Sequence, residues 1–501
     1  MPKIAYAQMQ IAAGQPDINT RKILRLIDEA KAGGATVVIF PESAIAGKML
    51  GDTLLEKSFI DECKACREEI IAHGKKIFVV LDSDKLAFNG VEIEFLSEPF
   101  SLSSKLAFKN YGRPRLQVGA VGVQNTGKTL YAFDGNSAVF NSRGEVVQRA
   151  EPFEECLNFI DTDAIDKMPA LEPPVESEPA RIYRALRYGV KEFLAQIGIG
   201  KVVIGASGGI DSAVAAALYV QVVGEDNVIL VNMPGRFNSA TTKNLSEQLA
   251  RNLGCKYYVV PIQESVDWTV KQLEERGINV SDFVKENIQA RDRGSRILAA
   301  IAASVGGVFT CNANKAESTV GYATLYGDEA GFLSALADLW KFQVYALARY
   351  MNAEVYKREA VPQGIIDIVP SAELSSAQNV DEGKGDPLRY DYHDYLLRGF
   401  VERDLTPEDI LKFYADGKLE AELGCEAGLV DKYFPTAQIF TEDLERWWKA
   451  FTGMGVAKRI QSPPILAVTD KPFGARRESQ NGWHFTRSYR DLKAQLTQGE
   501  S

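Results

Sequence analysis

An α/β architecture in two parts is what the sequence predicts, and three observations predict it. First, Lys201-Val202-Val203-Ile204 is a short apolar run of strand type. It leads through the glycine turn around Ser207-Gly208-Gly209 into residues 213–220, a strong helix former. Second, strand and helix signals alternate from residue 4 to residue 81. Third, the same alternation resumes from about residue 180, as a parallel sheet covered by helices requires.

Taken in order, Ile4-Ala5-Tyr6-Ala7 reads as a strand, 20–32 as a helix, and Thr36-Val37-Val38-Ile39-Phe40 as a strand ending at Pro41-Glu42. Residues 60–71 carry a helical pattern, and Ile77-Phe78-Val79-Val80-Leu81 is a further strand. The texture then changes to strands and turns, with Asp134-Gly135-Asn136 and Asn141-Ser142-Arg143-Gly144 as turn signals. Residues 163–179 are rich in proline and acidic side chains and read as a linker. This divides the chain into domains at 1–162 and 180–501. Residues 403–455 look helical and amphipathic, ending near Trp447-Trp448.

At 501 residues, with 46% hydrophobic and 25% charged residues, the composition is that of an ordinary globular protein. A formal charge of −10 argues against a nucleic-acid partner. No apolar run reaches the ~18 residues of a membrane span, so no membrane partner is expected. The N-terminus enters a strand-like run without a signal-peptide pattern. The six cysteines are scattered, as in a cytoplasmic protein with reduced thiols. Cys63-Lys64-Ala65-Cys66 lies inside a helical pattern with no second pair, so two helix-face thiols is the favoured reading over zinc or redox chemistry. His73, His393 and His484 are too dispersed for a metal site.

Two glycine-rich stretches invite a phosphate, and only one has the mechanics. Gly122-Val123-Gln124-Asn125-Thr126-Gly127-Lys128-Thr129 satisfies the P-loop pattern, but strand, turn and strand follow it rather than a helix. Without a helix N-terminus there is no cradle, and chance is favoured. Ser207-Gly208-Gly209-Ile210-Asp211-Ser212 does open a helix. There the free N–H groups and helix dipole converge on an anion, and glycine lets the backbone approach it. Ser207 and Ser212 add hydroxyl donors, and Asp211 can hold a magnesium ion on the same phosphates.

This loop resembles the pyrophosphate-binding loop of the ATP pyrophosphatases. Further runs follow in the order of the NAD synthetases: Met233-Pro234-Gly235-Arg236, the stretch Glu286-Asn287-Ile288-Gln289-Ala290-Arg291-Asp292-Arg293-Gly294, Asn314-Lys315-Ala316-Glu317, Val320 to Asp328, Pro370-Ser371-Ala372-Glu373, and Lys458-Arg459-Ile460-Gln461. The first part is similar to the nitrilase-like glutaminase domain of glutamine-dependent members. Phe40-Pro41-Glu42 matches the segment of its general-base glutamate, and Leu96 to Phe100 and Phe133 to Ser137 match later strands. The resemblance implies a shortened nitrilase-like α/β sandwich followed by an adenine-nucleotide α-hydrolase-like (Rossmann-like) parallel-sheet domain. In the family a lysine and a cysteine nucleophile lie between the strand like 77–81 and the segment like 96–100. Here that interval is short and holds no cysteine, and Cys63, Cys66 and Cys156 sit in other segments. The expectation is a dead glutaminase site keeping Glu42 as an orphan base.

The resemblance further implies ATP and Mg²⁺, with deamido-NAD and ammonia as co-substrates. Ammonia would arrive free or from a separate glutaminase, and the protein would be a homo-oligomer. Asp211 and Glu317 are then the magnesium ligands, and Ser207, Gly208, Gly209 and Ser212 hold pyrophosphate. Lys341 and Ser371 meet the ATP phosphates, Arg236 and Asn312 the nucleotide, and Asn287, Arg291 and Lys458 deamido-NAD. Bland readings stand beside these: a surface ion pair for Arg291 or Lys458, a helix-end hydrogen bond for Asn287, a helix cap for Ser371 after Pro370. The charged, Gly-rich 379–386 segment reads as a lid. The chain departs from the family at Asn312, at Phe342 beside Lys341, and at Ile465-Leu466-Ala467 after Pro463-Pro464. Two other function classes therefore compete: another ATP-pyrophosphatase amidase, and a non-catalytic nucleotide-binding regulator.

Overall fold

The computed structural model describes residues 3–82, 86–104, 112–474, 478 and 482–498, and its contacts separate two units, Met1–Gln196 and Ile197–Ser501. The first begins with β1 (Lys3–Gln8), α1 (Pro16–Ala32), β2 (Val37–Ile39), α2 (Lys57–His73) and β3 (Phe78–Val80). Short strands follow: β4 (Leu86–Phe88), β5 (Val91–Leu96), β6 (Arg115–Gly119), β7 (Val121–Asn125), β8 (Thr129–Asp134), β9 (Ala138–Phe140), β10 (Val146–Arg149) and β11 (Cys156–Asp161). The unit closes on α3 (Glu178–Gln196).

Alternation along the strands builds this unit in layers. Two sheets, ordered β11-β1-β2-β3 and β10-β9-β6-β5-β4, face one another. Ile4, Tyr6, Val37 and Ile39 of the first pack on Ile93, Leu116, Val118 and Val139 of the second. The intervening residues Ala5, Ala7, Val38 and Phe40 turn to the other face, where Ile23 and Ile27 of α1 and Cys66 and Ile70 of α2 cover them. α1 starts earlier than the periodicity predicts because Pro16 supplies a pre-set first turn.

Two local results concern motifs. The P-loop-like run lies on an antiparallel hairpin, with Val121 opposite Asp134 and Asn125 opposite Leu130. The run is extended along this hairpin and no helix follows. α3, expected to open the second domain, packs instead on this hairpin: Ile182, Leu186, Val190 and Phe193 are buried, and Gln196 Nε2 donates to the Val123 carbonyl at 3.0 Å. The contact boundary accordingly follows Gln196 rather than residue 179.

The second unit runs β12 (Val202–Gly205), α4 (Ile210–Val223), β13 (Val228–Asn232), α5 (Ala240–Leu253), β14 (Lys256–Val259), α6 (Gln263–Glu274), α7 (Asp282–Arg291), α8 (Ala299–Ser304) and β15 (Val308–Phe309). α9 (Lys315–Val320), α10 (Lys341–Tyr350), α11 (Gln363–Asp367) and α12 (Tyr390–Glu402) follow. The strands pair in parallel in the order β14-β13-β12-β15. α4 is apolar nearly all round and correspondingly buried from Ser212 to Val220. The described residues beyond 402 are mainly helical, and Phe400, Leu411, Phe440 and Trp447 make an aromatic-rich core around Trp340.

Candidate active site

In an open parallel sheet the ligand crevice lies at the strand C-termini where the connections diverge. That point falls between β12 and β15. A pocket of about 260 Å³ opens there, lined by the loop from Gly205 to Ser212 together with Asn312, Glu317, Lys341 and Asp386.

The loop's shape is dictated by its sequence. Gly208 sits at φ +86°, and a Cβ there would lie 2.4 Å from the Thr242 carbonyl oxygen. Gly209 caps α4 in extended conformation with no side chain occupying the helix N–H groups. Ser207 Oγ accepts from the Gly209 amide at 3.2 Å and lies 3.1 Å from Ser212 Oγ, which donates to the Gly209 carbonyl at 3.0 Å. The serines therefore fix the turn while the helix amides stay open to an anion.

Lys341 is the electrostatic centre. It stands in the first turn of α10, 3% exposed, with Nζ 2.5 Å from Asp211 Oδ2 and 3.6 Å from Glu317 Oε1. Its ammonium also lies 4.7 Å from the Tyr390 ring centroid. Burial pulls the Lys341 ammonium down, but Asp211, Glu317 and Asp386 together carry it above its ordinary value. Glu317 is placed by a reciprocal cap: Asn314 Oδ1 accepts from its amide at 3.1 Å, and Glu317 Oε2 accepts from the Asn314 amide at 3.2 Å. Tyr390 OH donates to Glu317 Oε1 at 3.1 Å. Burial pushes the Glu317 carboxyl up, against the opposing pull of Lys341.

Asp386 completes the cluster. Its Oδ1 accepts from the Ala372 amide at 2.9 Å and from Tyr322 OH at 3.2 Å, and burial pushes its carboxyl up. Three carboxyl groups thus share one lysine in a desolvated pocket. Among the described residues no group of three or more carboxylate, imidazole or thiol ligands is arranged around a metal position. A hard divalent cation taken by one or two carboxylates and a nucleotide's phosphates fits such a donor set.

The expected residues divide. Ser207, Gly208, Gly209, Asp211, Ser212, Asn312, Glu317, Lys341 and Ser371 line the pocket. Asn312 Oδ1 accepts from Thr310 Oγ1 at 2.8 Å. Ser371 caps no helix; its Oγ donates to the Gln378 carbonyl at 2.6 Å. Arg236 does not line the pocket and lies 3.4 Å from Asp267. Asn287 Nδ2 donates to the Phe283 carbonyl of its own helix at 2.8 Å. Arg291 donates to the Leu325 carbonyl at 2.9 Å, and Lys458 to the Gly321 carbonyl at 2.7 Å and to that of Ala323. Neither side chain lines the pocket, but both hold the segment after α9, whose Tyr322, Ala323, Gly327 and Asp328 do. Of the departures, Phe342 stacks on Tyr395 at 5.4 Å and Ile465 is buried in the helical core, so neither is a pocket wall. The 379–386 segment forms a short 3₁₀ turn, Val380–Glu382, and delivers Asp386.

Sequence reasoning passed over Asp386 and Arg293. Arg293 lines the pocket, half-buried, with Nε donating to the Met233 carbonyl and Nη2 to Asn238 Oδ1, both at 3.0 Å. Burial draws its guanidinium down to about 10. Its signal lies two residues after Arg291 in the Gln-Ala-Arg-x-Arg-Gly run. In the first unit, Glu42 Oε2 lies 2.7 Å from Lys48 Nζ, which also reaches the Ser97 carbonyl at 3.4 Å. Cys156 and Cys63 are both raised by burial, the reverse of an activated thiol.

The NAD synthase family profile matches residues 182–422. A glutamine-dependent NAD(+) synthetase of Xylella fastidiosa is 28% identical, covering 95% of this chain and 97% of its own. The corresponding protein of Thermotoga maritima is 26% identical over 81% of this chain and 90% of its own. Among solved structures, a glutamine-dependent NAD(+) synthetase from Cytophaga hutchinsonii superposes with a TM-score of 0.73 at 15% identity, covering 99% of both chains. One from Acinetobacter baumannii, solved with adenosine diphosphate, gives 0.66 at 23% identity, covering 96% of this chain and 98% of its own. These two likenesses establish the fold.

Proposed function

Residues 182–422 belong to the NAD synthase family, whose members are carbon–nitrogen ligases, and from that premise we propose that this chain amidates deamido-NAD with ammonia at the expense of ATP. The observation that carries the reading is the placement of the Ser207–Ser212 loop against Lys341, Asp211 and Glu317 at the divergence of β12 and β15.

The nicotinate carboxylate of deamido-NAD is a poor electrophile. Its oxygen attacks the α-phosphorus of ATP, the bond from that phosphorus to the bridging oxygen of the β-phosphate breaks, and pyrophosphate departs. Ammonia then adds to the carbonyl carbon of the mixed anhydride, the bond to AMP oxygen breaks, and a proton is released. The main barrier is the approach of an anion to a triphosphate, and preorganised charge lowers it. The open amides of α4 with Ser207 and Ser212 hold the departing pyrophosphate. Lys341 adds a cation that Asp211 and Glu317 keep protonated. Asp211 and Glu317 would hold Mg²⁺ on the phosphates, where the ion neutralises charge. Arg293 and Asn312 line the remainder of the pocket and are available to the nucleotide.

Two features favour ammonia over glutamine. The interval between β3 and β5 is short, and Glu42 is engaged by Lys48 rather than by a thiol. The relatives' names favour the second reading, glutamine as nitrogen source. NAD formation from deamido-NAD, ATP and magnesium, driven in parallel by ammonium chloride or glutamine, separates them. Product with ammonium alone is expected. Product with glutamine would overturn the ammonia assignment, and product with neither would overturn the synthetase reading.

A further inference from the structure

A second cavity, of about 370 Å³, lies wholly within the first unit and has no part in the chemistry above. Phe100 and Phe153 form one wall, with ring centroids 5.6 Å apart. Pro173 and Pro174, from the segment expected as a linker, form another. The rest is charged: Arg149, Arg181, Arg184, Asp134 and Glu176.

Within the lining the charges do not cancel: three guanidiniums stand against Asp134 and Glu176. Arg184 is matched twice, by Glu176 and Glu151, each at 3.0 Å. Arg181 donates to the main-chain carbonyls of Leu102 at 2.7 Å, Ser101 at 3.1 Å and Ser104 at 3.2 Å, which satisfy its N–H groups without neutralising it. Arg149 donates Nη2 to the amide oxygen of Asn136 at 2.9 Å, while its Nε is buried without a hydrogen-bond partner among the described residues. Against these two guanidiniums stands Asp134, which makes no ion pair with any described residue. Burial raises the Asp134 carboxyl and lowers the Arg149 guanidinium, as expected of groups held away from water and short of partners. A buried Nε with no acceptor is rare in a native structure and calls for one.

We propose that this cavity is a binding site for a small monocarboxylate with a flat apolar body, its carboxylate on Arg149 and its body between Phe100, Phe153 and the two prolines. A guanidinium takes a planar carboxylate through two parallel N–H donors. Three guanidiniums against Asp134 and Glu176 leave the lining a net charge of +1, Glu151 standing outside it with its side chain 62% exposed, and this favours a monoanion over a dianion such as phosphate. The aromatic and proline walls give the apolar body a surface that a bare inorganic anion cannot use.

The test is calorimetric titration of the full chain with benzoate, benzamide, phenylalanine and inorganic phosphate, with Arg149→Gln and Asp134→Asn beside the unsubstituted protein. Saturable benzoate binding, one per chain, is expected. Benzamide and the Arg149→Gln chain should each bind at least about tenfold more weakly, the loss of a charge-assisted contact. Asp134→Asn should leave benzoate binding intact or tighter, and ammonium-driven NAD formation by both variants should be unchanged. Benzoate binding unaffected by Arg149→Gln, or absent altogether, overturns the proposal. So does tighter binding of phosphate, or of phenylalanine in a manner lost in Asp134→Asn. A readout on the unsubstituted chain guards against a variant that does not fold. Benzoate, and not phosphate, should slow proteolysis around the fully exposed Val175, since Pro173 and Pro174 wall the site; equal cleavage with and without benzoate counts against it.

Discussion

Lys341 and Asp394 show how burial assigns different tasks to charged residues on neighbouring elements. Lys341 compensates Asp211 and Glu317, so removing it leaves carboxylates repelling one another and the incoming triphosphate. Lys341→Met should lower kcat for ammonium-driven NAD formation by at least about a hundredfold, the scale of losing one preorganised charge. Lys341→Arg should restore part of it, and steady-state kinetics reads both. Asp394, fully buried on α12, accepts from the Phe342 amide at 2.9 Å through Oδ2, while Oδ1 has no partner among the described residues. Burial raises its carboxyl to about 7. A carboxyl raised in the folded state keeps its proton where the unfolded chain has lost it. Its contribution to stability is therefore present below about pH 4 and is lost as pH rises towards about 7. Asp394→Asn keeps the acceptor without the charge. Urea midpoints should fall less between pH 5 and pH 8 for this variant than for the unsubstituted protein, by on the order of a few kcal/mol in unfolding free energy. Parallel curves would mean Asp394 is ionised in the fold.

At the scale of elements, the glycine turn between β12 and α4 was legible because its requirements are local. Apolar strand, positive-φ glycine and helix amides follow each other in sequence. Gly208→Ala tests that logic: its methyl would meet the Thr242 carbonyl and adopt a φ of +86°. Pyrophosphate release should fall by at least about a hundredfold, with a loss of roughly 1–3 kcal/mol in stability from displaced backbone. Normal turnover in this variant would remove the loop from the mechanism. The P-loop-like run was likewise resolved locally, because the strand signals after it exclude a helix, and the run is extended along the β7–β8 hairpin. What local reading misplaced depends on long-range packing. Asp386 reaches the pocket because Tyr322 and the Ala372 amide bind it, partners 64 and 14 residues away. Arg291 and Lys458 point to carbonyls of one segment, and no spacing in the sequence distinguishes a backbone clamp from a ligand contact. α3 joined the first unit because its apolar stripe found the β7–β8 hairpin, whereas composition alone placed the boundary at the proline-rich stretch before it.

At the scale of the whole molecule the question is whether the first unit contributes chemistry. Its two sheets and covering helices keep the sandwich intact, with Phe40 buried and Glu42 at the end of β2 in the position the family resemblance assigns to a base. Yet the glutamate's partner is Lys48, six residues on, with the two side chains 43% and 22% exposed. Ion pairs of that exposure are worth about 0–1 kcal/mol, so the pair can be broken without unfolding the sandwich. Cys66 is packed in the core against the α1–α2 layer. A nucleophile needs a base within hydrogen-bond reach and a thiol that ionises near neutrality, and Cys63 and Cys156 are shifted the other way. Glu42→Gln should therefore leave ammonium-driven NAD formation within about twofold, since it touches none of the charges that preorganise the synthetase pocket. Glutamine should support no product with either chain. If glutamine does drive turnover in the unsubstituted protein and Glu42→Gln abolishes that activity alone, then Glu42 is a working base. Lys48 would then be its companion in a glutaminase, and the nucleophile would have to be sought among the three thiols of this unit, Cys63, Cys66 and Cys156.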